Sequence, residues 1–98
     1  YQYQTLNAFA HYCLENYPAA LSWADEALRA VAFPQALGIR AAALGQLGPT
    51  DEASLAAARF LEVFPDTTAT RHCRNFCWRN QSDINRYRDG LIKAGLPE

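Results

Sequence analysis

Methionine is absent from this chain of 98 residues, and lysine occurs once, as Lys93, among nine basic residues. A reading frame opens on Met, so its absence predicts a fragment or processed product of a longer protein. No apolar run approaches the ~20 residues that cross a bilayer. No basic stretch leads into an apolar one as in a signal peptide, and a cytoplasmic location is expected. Cys13, Cys73 and Cys77 are odd in number and widely spaced, unlike a disulfide framework. They suit reduced thiols in a reducing compartment.

Motifs of catalysis are missing as well. There is no nucleophile elbow, no phosphate-cradling glycine loop and no acid pair with a histidine partner. Asp25-Glu26 and Asp51-Glu52 are adjacent carboxylates, but neighbouring helical residues point in different directions. They suit helix surfaces and helix starts. His72, Cys73 and Cys77 are close in sequence, yet zinc needs a fourth ligand and favours a tighter paired motif. A bond between Cys73 and Cys77, one helical turn apart, is geometrically awkward. The expectation is no enzyme within this chain, no metal and no cofactor.

What is present is a repeat. Ala8, Ala10, Leu14, Ala20, Ala24 and Leu28 recur 33 residues later as Ala41, Ala43, Leu47, Ala53, Ala57 and Leu61. Each segment reads as a helical hairpin that cannot bury its apolar face alone, so neighbours must stack. A first helix runs from about Gln2 to Leu14, with Leu6, Phe9, Ala10, Cys13 and Leu14 on its apolar stripe. Pro18 stands where a second helix starts, its missing N–H harmless there. That helix carries Leu21, Ala24, Leu28 and Val31. Phe33-Pro34 ends it, and Pro34 opens a third helix with Leu37, Ala41, Leu44 and Leu47, closed by Gly48-Pro49. Thr50 is a candidate N-cap, with Asp51 and Glu52 against the positive end of a fourth helix. Leu55, Ala58, Leu61 and Phe64 form that helix's stripe, and Pro65 closes it. Turns this short force antiparallel neighbours.

The register of Leu14, Tyr17, Ala20, Leu21, Ala24, Ala27 and Leu28 resembles a tetratricopeptide repeat, with Ala8 and Ala20 at the small positions where paired helices cross. Ala41, Gly48, Ala53, Ala57, Leu61 and Pro65 supply the second unit, so the resemblance covers residues 2 to 65. Gln4 stands where an aromatic is expected, Asn7-Ala8 replaces a leucine–glycine pair, and Phe60 replaces a small residue. Phe60 must push outward or fill a gap left by alanines. The resemblance implies an all-α fold of antiparallel hairpins stacked as a short right-handed α-solenoid. Repeats at 1–33 and 34–66 would be followed at 67–98 by a degenerate third unit and a C-terminal capping helix. It also implies a groove for a protein or peptide. Gln2, Thr5, Phe9, Tyr12 and Cys13 would line it from the first unit, and Gln35, Gly38, Ala42, Gly45 and Gln46 from the second. Thr5 and Phe9 stand where a carboxylate clamp would need polar residues. Phe9 and Tyr12 instead suit an apolar or helical segment.

The last third differs in charge. Residues 1 to 66 hold three arginines and seven acids, net −4, whereas residues 67 to 98 hold six basic residues and three acids, net +3. A fifth helix is expected from after Asp66 or Thr67 to about Asn75. A final helix over 82–94 carries Ile84, Tyr87, Leu91 and Ala94, with Gly95 as C-cap and a capping role at the end of the stack. The closing run from Tyr87 through Gly90-Leu91 to Lys93-Ala94-Gly95-Leu96-Pro97-Glu98 resembles the C-terminal end of bacterial multidomain regulators. Those join a nucleotide-cyclase or winged-helix domain to such repeats, which implies a signalling parent. A second reading is homo-oligomerisation, as a homodimer, through an N-terminal edge of Tyr1, Tyr3, Leu6 and Trp23. A third is nucleic-acid contact by Arg71, Arg74, Arg79, Arg86 and Arg88 with Phe76, Trp78 and Tyr87 interleaved. The sequence pI of about 6.1 argues against that third reading.

Overall fold

A computed structural model describes residues 2–29, 34–48, 51–74 and 81–97, the side chains of 2, 3, 71, 73 and 74 excepted. Among these residues the chain is all-α, with six helices. They are α1 (Gln2–Cys13), α2 (Tyr17–Leu28), α3 (Pro34–Leu47), α4 (Asp51–Val63), α5 (Ala69–Arg74) and α6 (Gln81–Ala94). The stops are local chemistry. At the end of α1, Asn16 N–H reaches the His11 carbonyl and Glu15 N–H the Tyr12 carbonyl, with Glu15 at a φ of 62°. The same paired bonds end α6, from Leu96 to Leu91 and from Gly95 to Ile92, with Gly95 at a φ of 114°. Both are Schellman closures, in which a left-handed residue turns the chain back onto orphan carbonyls. Pro34 opens α3 and Pro18 lies in the first turn of α2, where neither needs a donor. Asp51 and Glu52 occupy the first turn of α4, while Thr50 and Val31 lie outside the described residues.

The core centres on α3, which is buried from Ala36 to Ile39 and from Ala41 to Gly45. It packs against α2, α4 and α6. The expected stripes on two helices turn out rotated. On α1 the buried residues are Thr5, Ala8 and Tyr12, while Leu6 is 68% and Leu14 75% exposed and Ala10 is also exposed. On α4 the buried face is Ala53, Ala56, Ala57 and Phe60; Leu55 and Ala58 are exposed, Leu61 and Phe64 half-buried. Leu47 of α3 is likewise exposed. Alanine sacrifices burial per residue but lets helix axes approach closely, and the leucines are left on the flanks. Phe60 fills the gap between alanines, fully buried, with Phe64 and His72 edge-on to its ring at 6.1 and 5.0 Å.

α6 lies along α3, with lesser contact to α4 and α5, and buries Tyr87, Gly90, Leu91 and Ala94. Small residues set that approach. A Cβ on Gly45 would collide with the Gly90 carbonyl, and one on Gly90 would come within 2.7 Å of the Ala42 carbonyl. The Pro97 carbonyl then accepts a 2.7 Å bond from Ala69 N–H, tying the segment after α6 to the start of α5. No helix among the described residues is long and apolar enough to cross a membrane.

Candidate functional site

The inner face of α1 and α3 is organised around one backbone carbonyl of α6. Tyr12, on the last turn of α1, donates its hydroxyl to the Arg86 carbonyl at 2.9 Å. Gln46, on the last turn of α3, donates Nε2 to the same carbonyl at 2.9 Å and lies 3.4 Å from the Tyr12 hydroxyl. Its Oε1 accepts from Lys93 Nζ at 3.3 Å. The Arg86 side chain answers in the other direction: Nη2 donates to the Cys13 carbonyl at 3.2 Å and to Asp83 at 2.6 Å. The backbone carbonyls at the end of α1 thus gain a cation, which the helix dipole favours there.

Aromatic edges complete the grip. The Tyr12 ring stands edge-on to Tyr17 at 5.1 Å and to Tyr87 at 5.5 Å, and Phe9 lies 6.4 Å from Tyr87. Burial pushes the Tyr12 phenol well above its ordinary pKa, the Gln46 bond opposing this only in part. Tyr12 is therefore a fixed neutral donor across the physiological range. Deeper in, His72 of α5 and Tyr87 of α6 share a 2.8 Å hydrogen bond between Nε2 and the hydroxyl, packed directly on Gly38. A Cβ there would overlap both side-chain tips, so any larger residue has to displace the His72–Tyr87 pair. Burial lowers the His72 pKa to about 4, so the ring is neutral at pH 7.

Of the groove residues expected from sequence, Phe9, Tyr12, Gly38 and Gln46 come together against α6 or its Tyr87 ring, as does the Ala42 backbone at Gly90. Thr5 is buried, Gln35 is half-buried at the start of α3, and Gly45 meets the Gly90 carbonyl. Cys13 is half-buried; burial first, and then the Asp83 carboxylate, raise its thiol pKa. The side chain of Gln2 lies outside the described residues. Sequence reading missed Arg86, His72 and Gly90 as partners of that face. Gly90 carried the one legible signal, a glycine four residues before the alanine of an amphipathic helix.

No protein-family model, curated protein or solved structure matches this chain.

Other expected residues lie elsewhere. Leu6 of the N-terminal edge is exposed and Trp23 packs partly against the core; Tyr1 and the Tyr3 side chain lie outside the described residues. Within the basic tail, Arg86 and Tyr87 are committed to the α1–α3 face. Phe76, Cys77, Trp78 and Arg79, with the side chains of Arg71, Cys73 and Arg74, lie outside the described residues. On the face of α3 turned away from α6, two open clefts of about 410 and 430 Å³ run between α2 and α4.

Proposed function

We propose that this chain is a protein–protein interaction module of the tetratricopeptide type, whose inner face holds an amphipathic helix. One observation carries the reading: Tyr12, Gly38, Gly45 and Gln46, from two successive hairpins, all meet a single helix, α6. The recognition is one a foreign helix could also satisfy. It needs a backbone carbonyl facing Tyr12 and Gln46, an aromatic one residue on, and a glycine four residues on at the closest approach. In this reading residues 1–66 form two hairpins of a short right-handed solenoid. The chain is then the C-terminal module of a larger cytoplasmic regulator, and α6 occupies the groove in cis until a partner helix displaces it.

The test uses a fluorescent peptide of residues 81–97 and the full chain carrying Gly90→Leu, which weakens docking of its own α6. The peptide is expected to bind the variant with a Kd on the order of 10 µM, a single helix being a small interface, and the wild-type chain far more weakly. Equal binding to both, or none to a variant still helical by circular dichroism, would refute a helix-holding groove.

A further inference from the structure

The three arginines of residues 1 to 66, Arg29, Arg40 and Arg59, come from three different segments of the fold. All three line one cleft on the face of α3 turned away from α6. Its apolar floor is Leu28, Leu37 and Leu55, and Leu55 is 67% exposed. Arg29 pairs with Glu26 at 2.8 Å and Arg40 with Asp25 at 2.9 Å, both near the surface. Arg59 has no ion-pair partner among the described residues. The second cleft on the same face has the opposite sign. Leu21, Leu44 and the exposed Leu47 form its floor, and Asp51 and Glu52 its rim.

The two clefts are the two ends of one surface. Because α2 and α4 run antiparallel to α3, Leu28, Leu37 and Arg59 share one end, and Leu21, Leu44 and Asp51 the other. Leu37 and Leu44 are seven residues apart, two helical turns, or roughly 10 Å. A two-fold axis between them lays the basic end of one copy over the acidic end of another. We propose that this face of α2, α3 and α4 is a self-complementary docking surface for a second copy of the chain. Arg59 meets Asp51 and Glu52 of the other copy in this contact, and the exposed Leu47 and Leu55 are covered. An isologous contact makes each pairing twice, so a modest charge pattern is counted double. A nucleic-acid strand fits this face poorly. Asp25, Asp51 and Glu52 would confront its phosphates, and among the described residues no aromatic lines either cleft for a base to stack on. The proposal stands apart from the helix-holding inner face and does not depend on it.

The experiment is sedimentation equilibrium of the full chain in reductant, from about 10 µM to about 1 mM, a range suited to a small charged interface. The wild type is expected to form a dimer that weakens at least tenfold between low and high salt. Arg59→Glu leaves both ends acidic and Glu52→Arg cancels the charge of the acidic end, so each alone is expected to be monomeric. An equimolar mixture of the two restores a dimer, because the two reversed positions face each other with opposite sign and the native Arg59 still faces the native Asp51 and Glu52. Leu6→Glu, on the exposed edge of α1, leaves the dimer intact. A wild-type monomer throughout the range, single reversals that dimerise like wild type, or a dimer lost only with Leu6→Glu would each overturn the proposal.

Discussion

Gly45 of α3 lies directly against the backbone of Gly90 of α6, with no side chain between the two helices. Helices that touch through backbone atoms gain dispersion contacts along their whole crossing and admit nothing larger. Gly45→Ala therefore sets two effects against each other. Alanine improves helix propensity by ~1 kcal/mol, but its Cβ would occupy the space of the Gly90 carbonyl, which cannot rotate away. Overpacking against rigid backbone costs about 1–3 kcal/mol or more. A net loss of stability is expected, read as a lower urea midpoint with unchanged slope. An unchanged or higher midpoint would mean that α3 and α6 do not meet there.

A second prediction concerns the shared carbonyl of Arg86. Tyr12→Phe and Gln46→Ala each remove one donor and leave the other in place. Each single change is expected to cost roughly 1 kcal/mol. The remaining donor shortens its bond when its rival is gone, so the double variant should cost more than the sum by about 0.5 kcal/mol or more. A double-mutant cycle by chemical denaturation measures this. Strict additivity would show that the two side chains do not act on one acceptor.

Much of the fold is legible in the sequence because punctuation is local. Pro18, Pro34 and Gly95 act within one turn of themselves, and each stands where the structure begins or ends a helix. Which face a helix buries is decided by its neighbours, and there the largest apolar residues mislead. Leu6, Leu14 and Leu55 suggest faces that are exposed, whereas Ala8, Ala56 and Ala57 are interior. Alanine has too little hydrophobic contrast to declare a face on its own. Tyr12, Gly38 and Gln46, which all meet α6, could be placed on one side by repeat register. That α6 would lie against them depends on the backbone approach at Gly45 and Gly90, a long-range fit that no periodicity encodes.

The buried His72 makes stability depend on pH with a definite sign. Its pKa is about 4 in the folded chain, against 6.5 for an exposed histidine. Between these values the unfolded chain binds the extra proton, so the contribution is present above pH 6.5 and lost as pH falls towards 4. Linkage puts the loss at about 2 kcal/mol by pH 5, before the carboxylates contribute. Urea midpoints from pH 7.5 to 4.5 should decline accordingly. His72→Gln, which keeps a hydrogen-bonding partner for Tyr87 but cannot titrate, should flatten that decline while lowering the midpoint at pH 7. A variant with the wild-type slope would assign the pH dependence to other groups.

Glu15 closes α1 in a left-handed conformation, φ 62°, where a side chain costs ~1 kcal/mol relative to glycine. Its carboxylate offers little in return: it lies 3.7 Å from Arg86 and is largely exposed. A pair of that kind contributes about 0.5 kcal/mol or less. Glu15→Gly is therefore expected to raise stability by roughly 0.5–1 kcal/mol, even though glycine also loosens the unfolded chain. Glu15→Asn, which tolerates the same φ, should fall between glycine and wild type. Glu15→Val, whose branched Cβ opposes a positive φ, should lie below wild type. Thermal denaturation of the four proteins in one buffer gives the ranking. A destabilised glycine variant would show that the Arg86 contact, and not the turn, is what Glu15 supplies.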